Sequence, residues 1–254
     1  MSPVWSRNRK RKRLLAQPLP AGWLDLIRHA VQWFGGWSTE VRDRFVDNVR
    51  IFVAEKNWEG CRGQPINEEV QVVIAAQAAL MLTGIRNYCF EGVQTILVYP
   101  ASFRGETREG MLVGETERIG EAWHRGPIIL SWADVAESPP GRNVVVHELA
   151  HHLDGLDGDI GGVPESGNPE TDQQRSQVMA GELDRLVQQL ERGMPTLLDP
   201  YAASNPAEFF AVACEVFFEL PGPLQTQHRS LYDCLAAFFH ADPARWQPGR
   251  PGPY

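Results

Sequence analysis

An α+β fold is predicted, with helices first, a small mixed sheet next and helices again. Three observations point to it. Apolar residues recur at helical spacing between residues 23 and 84, then alternate over short runs, then return to helical spacing from residue 144 onward. At 254 residues, 43% hydrophobic and 22% charged, the chain can bury one good-sized core and has the profile of a globular protein.

Residues 23–59 read as helical, from WLDLIRHAVQWF into the amphipathic VRDRFVDNVRIFVAEKNW. INEEVQVVIAAQAALMLTG, residues 66–84, is a third helix closed by Gly84, and its lack of polar groups makes it central and buried. VQTILVYP (93–100) is a strand stopped by Pro100, and GMLVGETER and GPIILSW are the next strand candidates. VVVHELAHHLDG follows as helix. A Gly/Pro/Asp/Asn loop fills residues 155–173, and QVMAGELDRLVQQLERG is helical again. After the loop TLLDPYAASNP come two last helices, AEFFAVACEVFFEL and HRSLYDCLAAFFH.

The formal net charge of −8 excludes a nucleic-acid backbone as a general partner. RNRKRKR, residues 7–13, is the local exception. It is expected to be a solvated, poorly ordered tail, with contact to nucleic acid or acidic lipid as the alternative. No run of eighteen apolar residues is present, so no membrane span is expected. Cys61, Cys89, Cys214 and Cys234 form no C-x-x-C pair, and a reducing, cytoplasmic setting fits that usage. Residues 1–20 are read as the basic tail, 21–90 as a helical N-terminal part, 91–245 as the domain carrying the chemistry and 246–254 as a Pro/Gly-rich tail.

The chemistry is expected in HELAH. On a helix, residues four apart share a face, so His147 and His151 point the same way and can each offer a ring nitrogen to zinc. Glu148 is one position further round, beside a water on such a metal and placed to take its proton. By composition alone the H-E-x-x-H pattern should occur in about one such chain in a hundred. His152 lies about 100° round the helix from His151 and cannot easily join the same metal. Asp154, one turn beyond His151, has two readings: it fixes the tautomer of a ligand histidine, or it binds loop backbone.

A catalytic zinc needs a third protein ligand. Six residues after His151 stands Asp157, not a histidine, so the ligand is sought among Glu170, Glu182, Glu191, Glu208, Glu215 and Glu219. Glu208 sits among large apolar residues, where an unpaired carboxylate is costly and a cation would offset the cost. The structural reading of the same residue is a capping box with Asn205 and Pro206 opening the helix. Glu208 is favoured, with Glu215, seven residues on, as the alternative.

HELAHHLDG, together with YAASNPAEFFAVACEVFF near the C-terminus, resembles the Mlc titration factor A family of bacterial zinc metallopeptidases, over most of the chain after the basic tail. The resemblance implies a zincin-like domain similar to that of anthrax lethal factor, with one zinc on His147, His151 and Glu208 and Glu148 as general base. It implies that Tyr201 is the family's active-site tyrosine, donating to the oxyanion. Val212 departs from the pattern of the toxin-like relatives, which carry a second carboxylate there.

The function implied is aminopeptidase-like hydrolysis of peptides, with binding to the Mlc-type glucose repressor of sugar transport. An extended peptide would add to the sheet edge at GMLVGETER or GPIILSW. The loop GLDGDIGGVPESGNPE would border the cleft, its acidic residues selecting a basic or amino-terminal group or simply being solvated. Two other readings share the same residues: a repressor-sequestering protein with incidental hydrolysis, and a zinc amidase.

Overall fold

The structure, a computed structural model, describes residues 4–86, 88–101, 126–157 and 168–246. GMLVGETER, most of the Gly-rich loop and the tail from residue 247 lie outside the described residues. The N-terminal part comprises helices α1 (Val4–Leu15), α2 (Trp23–Ala30), α3 (Thr39–Glu55) and α4 (Glu68–Leu80), with strand β1 (Asn57–Gly60) before α4. Then follow β2 (Thr95–Tyr99), β3 (Ile128–Ser131), the short α5 (Trp132–Ala136) and α6 (Val144–Asp154). The chain ends with α7 (Pro169–Glu191), α8 (Pro206–Glu219), α9 (Pro221–Gln227) and α10 (Arg229–Phe239).

The basic run is helix α1, which corrects the expectation of a poorly ordered tail. Its position depends on charge neutralisation. Arg11 forks onto Glu55 at 2.7 and 2.6 Å and reaches Glu91 at 3.0 Å. Arg50, buried on α3, donates to the carbonyls of Leu14 and Gln17 at 2.7 Å each, satisfying groups that a helix end leaves unpaired. Lys10, Lys12 and Arg13 remain exposed.

Residues 23–59 are not one helical stretch. The chain breaks after Ala30, and Ser38 restarts it by accepting from the Val41 N–H at 3.4 Å. At Lys56 it turns extended, and the Lys56 ammonium donates to the carbonyls of Cys89 and Phe90 at 3.0 and 2.6 Å. Anchored there, Asn57–Gly60 forms β1, a strand the sequence pattern does not announce because its side chains are mostly exposed.

α4 is the buried centre. Asn67 caps it by accepting from the Val70 N–H at 3.0 Å, and every residue from Val72 to Leu80 is buried. A helix that is apolar all round belongs in a core. Beside it the sheet has the order β1-β2-β3, and both pairings are parallel. Ile96 pairs with Ile128 and Val98 with Leu130, all four buried, so one sheet face feeds the core.

Among the described residues one hydrophobic cluster runs from Trp23 to Trp246. The sheet takes β1 from the segment read as the helical N-terminal part, and α4 packs on α6. Gly84 brings the end of α10 against the α4 exit: any Cβ there would run into the carbonyl oxygens of Phe239 and His240. Among the described residues, no helix is long and apolar enough to cross a membrane.

Candidate metal centre

α6 begins where Asn143 accepts from the Val146 N–H at 3.1 Å. Val145, Val146, Leu149, Ala150 and Leu153 are buried, so the apolar residues set the helix's rotation. That leaves His147, Glu148 and His151 half-buried. The two histidine rings cross at 78° with centroids 4.8 Å apart, and their Nε2 atoms converge to 3.1 Å.

The third group arrives on α8. Asn205 accepts from the Glu208 N–H at 2.9 Å, as the capping reading expects, with Pro206 in the first turn. The Glu208 carboxylate points elsewhere. Its Oε2 lies 3.0 Å from His147 Nε2 and 3.5 Å from His151 Nε2. This oxygen is buried and makes no well-angled hydrogen bond. It faces the space between the two rings rather than either N–H axis.

Among the described residues this is the one cluster of His, Cys, Asp or Glu donors suited to an ion, its ligand atoms all within 4.8 Å of one another. A tetrahedral zinc with bonds of 2.0–2.1 Å needs donors about 3.3 Å apart. Separations of 3.0, 3.1 and 3.5 Å meet that requirement. His147, His151 and Glu208 are therefore a metal-binding triad consistent with a zincin-type active site.

Residues 5–240 match the family model described as glucose-regulated metallo-peptidase M90. The chain belongs to this family of bacterial zinc metallopeptidases. Relatives similar to this chain include an uncharacterized protein of Synechocystis sp., 36% identical over 95% of this chain and 91% of its own. The Mlc titration factor A proteins of Yersinia pestis and Yersinia pseudotuberculosis are each 26% identical, covering 96% of this chain and 93% of their own.

The electrostatics of this M90 site favour positive charge between the carboxylates. Burial works against a charged His147, yet the carboxylates of Glu208 and Glu215, facing its two nitrogens, outweigh it and push the imidazole up to about 10. Burial works against an ionised Glu208 too, yet the two histidines hold its carboxyl far below the ordinary carboxylate value. Two carboxylates thus stabilise positive charge on the ring between them, and a divalent ion supplies such charge at the donor atoms.

The other sequence candidates fall elsewhere. Glu215 is not among the donors: its Oε1 accepts from His147 Nδ1 at 2.7 Å, on the opposite edge of the ring. Glu182 pairs with His228 at 2.7 Å, Glu219 accepts from the Asn143 side chain at 2.8 Å, and Glu170 and Glu191 are exposed. His152 is buried with its ring 6.3 Å from that of Phe90. The brace on His147 is Glu215, and Asp154 is buried at the far end of α6. Val212 is buried and apolar.

Tyr201 stands in the short turn Pro200–Ala203, 40% exposed, its ring centroid 6.3 Å from that of His147. Asp199 holds the turn by accepting from the Tyr201 N–H at 2.9 Å, and Arg142, just before α6, is ion-paired to Asp199. Sequence reasoning passed over Asn143 and Arg142. The signal for Asn143 was present, since Asn before VVVHE stands where an N-cap belongs. Nothing in the pattern announces Arg142.

Proposed function

We propose that this chain is a zinc-dependent peptidase, aminopeptidase-like, acting on extended peptides. The observation that carries the reading is the convergence of His147 Nε2, His151 Nε2 and Glu208 Oε2, with Glu148 next along the helix. The three donors would hold one zinc ion, with a position left for water. Zinc, when bound, supplies Lewis acidity toward water and toward a peptide carbonyl.

The chain's own residues do the rest. Glu148 takes the proton of the attacking water and passes it to the leaving amine. Tyr201 donates its phenol hydrogen to the carbonyl oxygen as negative charge grows there. The Arg142–Asp199 pair ties the turn that carries Tyr201 to the residue before α6, so the tyrosine and the metal helix stay in register. β3 packs against α6 and, among the described residues, ends the sheet, offering an edge on which a peptide backbone can lie. The four cysteines are free thiols, which supports a reducing, cytoplasmic setting.

A second reading has its own support: relatives similar over almost their whole length are named for titrating Mlc. In that reading the protein binds an Mlc-type repressor of sugar transport, and hydrolysis is incidental. The relatives' name speaks for binding more directly than the geometry speaks for turnover. The same donors would also serve a zinc amidase.

The Glu148→Gln variant separates them. On the peptidase reading it keeps its zinc and loses hydrolysis of unblocked peptides by about 100-fold or more. Unchanged turnover would remove Glu148 from the reaction, and no turnover by the parent protein on peptides would leave binding as the function. Repressor capture by both proteins alike would support titration independent of hydrolysis. Capture by neither would sink that reading.

A further inference from the structure

α8 carries three carboxylates on an otherwise apolar helix: Glu208, Glu215 and Glu219. The spacings of seven and four residues put all three within about 40° of one another around the axis. Only the first belongs to the donor triangle. Glu215 is 6% exposed and Glu219 half-buried, so each must be held by partners or it would destabilise the fold.

Glu215 uses both oxygens. Oε1 accepts from His147 Nδ1 at 2.7 Å, and Oε2 accepts from the Asn143 backbone N–H at 2.6 Å. Asn143 is the N-cap of α6, and its side-chain amide donates to Glu219 Oε1 at 2.8 Å while its oxygen receives the Val146 N–H at 3.1 Å. A carboxylate fixed at both oxygens cannot rotate. The imidazole it grips is held too: an Nδ1 facing a carboxylate oxygen must carry a hydrogen, and Nε2 is left facing Glu208 and His151.

We propose that Glu215 is the positioning residue of the metal centre: from outside the donor set, it fixes the tautomer and orientation of His147 and thereby sets the affinity for the ion. The proposal rests on the reading of His147 as a metal ligand. The mechanism is electrostatic as well as geometric. A carboxylate on the distal nitrogen makes the proximal one a stronger donor, and loss of such a partner costs about 10–100-fold in metal affinity. The rival explanation is that Glu215 merely clamps the start of α6 through Asn143.

A cycle of variants decides between them. Zinc affinity is measured by competition with a chromogenic chelator for the unmodified chain, Glu215→Ala, His147→Ala and the double variant, and thermal unfolding is followed on each zinc-free protein. If Glu215 acts through the ring, Glu215→Ala weakens zinc about 10–100-fold. In the His147→Ala background the same change then has little further effect, because coupled residues do not add. Should Glu215→Ala not fold, the isosteric Glu215→Gln reads the same cycle, since the amide cannot satisfy both the ring N–H and the Asn143 N–H as acceptor.

Equal losses in the two backgrounds, tracking the fall in zinc-free stability, would establish the clamp and overturn the proposal. Zinc affinity unchanged in Glu215→Ala would overturn it while leaving the metal centre standing. An unmodified chain that takes up no zinc would bring down the centre itself, and this inference with it.

Discussion

Glu208 and Glu215, two turns apart on α8, hold the two nitrogens of a single imidazole: Glu208 Oε2 lies 3.0 Å from His147 Nε2 and Glu215 Oε1 2.7 Å from Nδ1. The helix that supplies one donor thus also orients another. Because α8 is packed on α6 along its length, the donor separations are a property of the core and not of a loop. Such a centre is preorganised before any ion arrives.

Glu208→Ala should therefore abolish stoichiometric metal while leaving the fold intact. Two histidines alone bind zinc far more weakly than a three-donor set, so zinc per chain after gel filtration should fall from about one to a small fraction. Full occupancy in the variant would remove Glu208 from the donor set. Circular dichroism should be unchanged, since Glu208 is only partly buried and its N–H remains capped by Asn205.

Asn143→Ala should cost stability out of proportion to its size. It removes the cap of α6, worth about 0.5–2 kcal/mol, and strips Glu219 of the amide that faces it, worth about 1–3 kcal/mol more. Burial already pushes the Glu219 carboxyl up, and the Asn143 amide opposes that rise. Urea unfolding of the zinc-free chain checks the sum. A loss below about 0.5 kcal/mol would show the cap to be replaceable by water.

The parts of this centre legible in the sequence are those with local spacing. His147 and His151 follow from helical geometry, and Glu208 from the cost of a carboxylate among Phe209, Phe210 and Ala211. Glu215 was weighed as a ligand because sequence shows that a buried carboxylate needs a partner, not which edge of a ring it meets. Helix periods located α4, α6, α8 and α10, the change of period located β2, and a short apolar run located β3. β1 was missed, since an exposed NWEG has no apolar alternation and forms through pairing with β2. α1 was missed for a related reason: six cations in seven residues read as solvated, and the partners of Arg7 and Arg11, Glu55 and Glu91, are distant in sequence.

That docking is testable. Arg11→Ala leaves Glu55 and Glu91 facing a cationic helix with its best-placed cation removed, and the forked, partly buried pair should be worth about 1 kcal/mol. Arg50→Ala should do more, because it unpairs carbonyls at the end of α1 as well. In both variants amide exchange should speed up across residues 4–17, with α6 amides unchanged. Faster exchange throughout the chain would mean that α1 is part of the global cooperative unit.

The last prediction concerns pH and lies away from the metal. His228 Nδ1 donates to Glu182 at 2.7 Å and, with Arg185 nearby, holds the Glu182 carboxyl below its ordinary value against the opposing effect of burial. A carboxyl whose folded value is depressed stabilises the fold in its ionised form. That stability is fully present above the unfolded carboxyl value, about 4.3, and is lost as pH falls through the lower folded value. Glu182→Gln should thus cost about 1 kcal/mol at pH 7, and the gap to the parent protein should narrow below about pH 4. Urea midpoints at pH 7 and pH 3 measure it. A gap of equal size at both would mean that Glu182 acts through packing and neutral hydrogen bonding, with its charge contributing nothing.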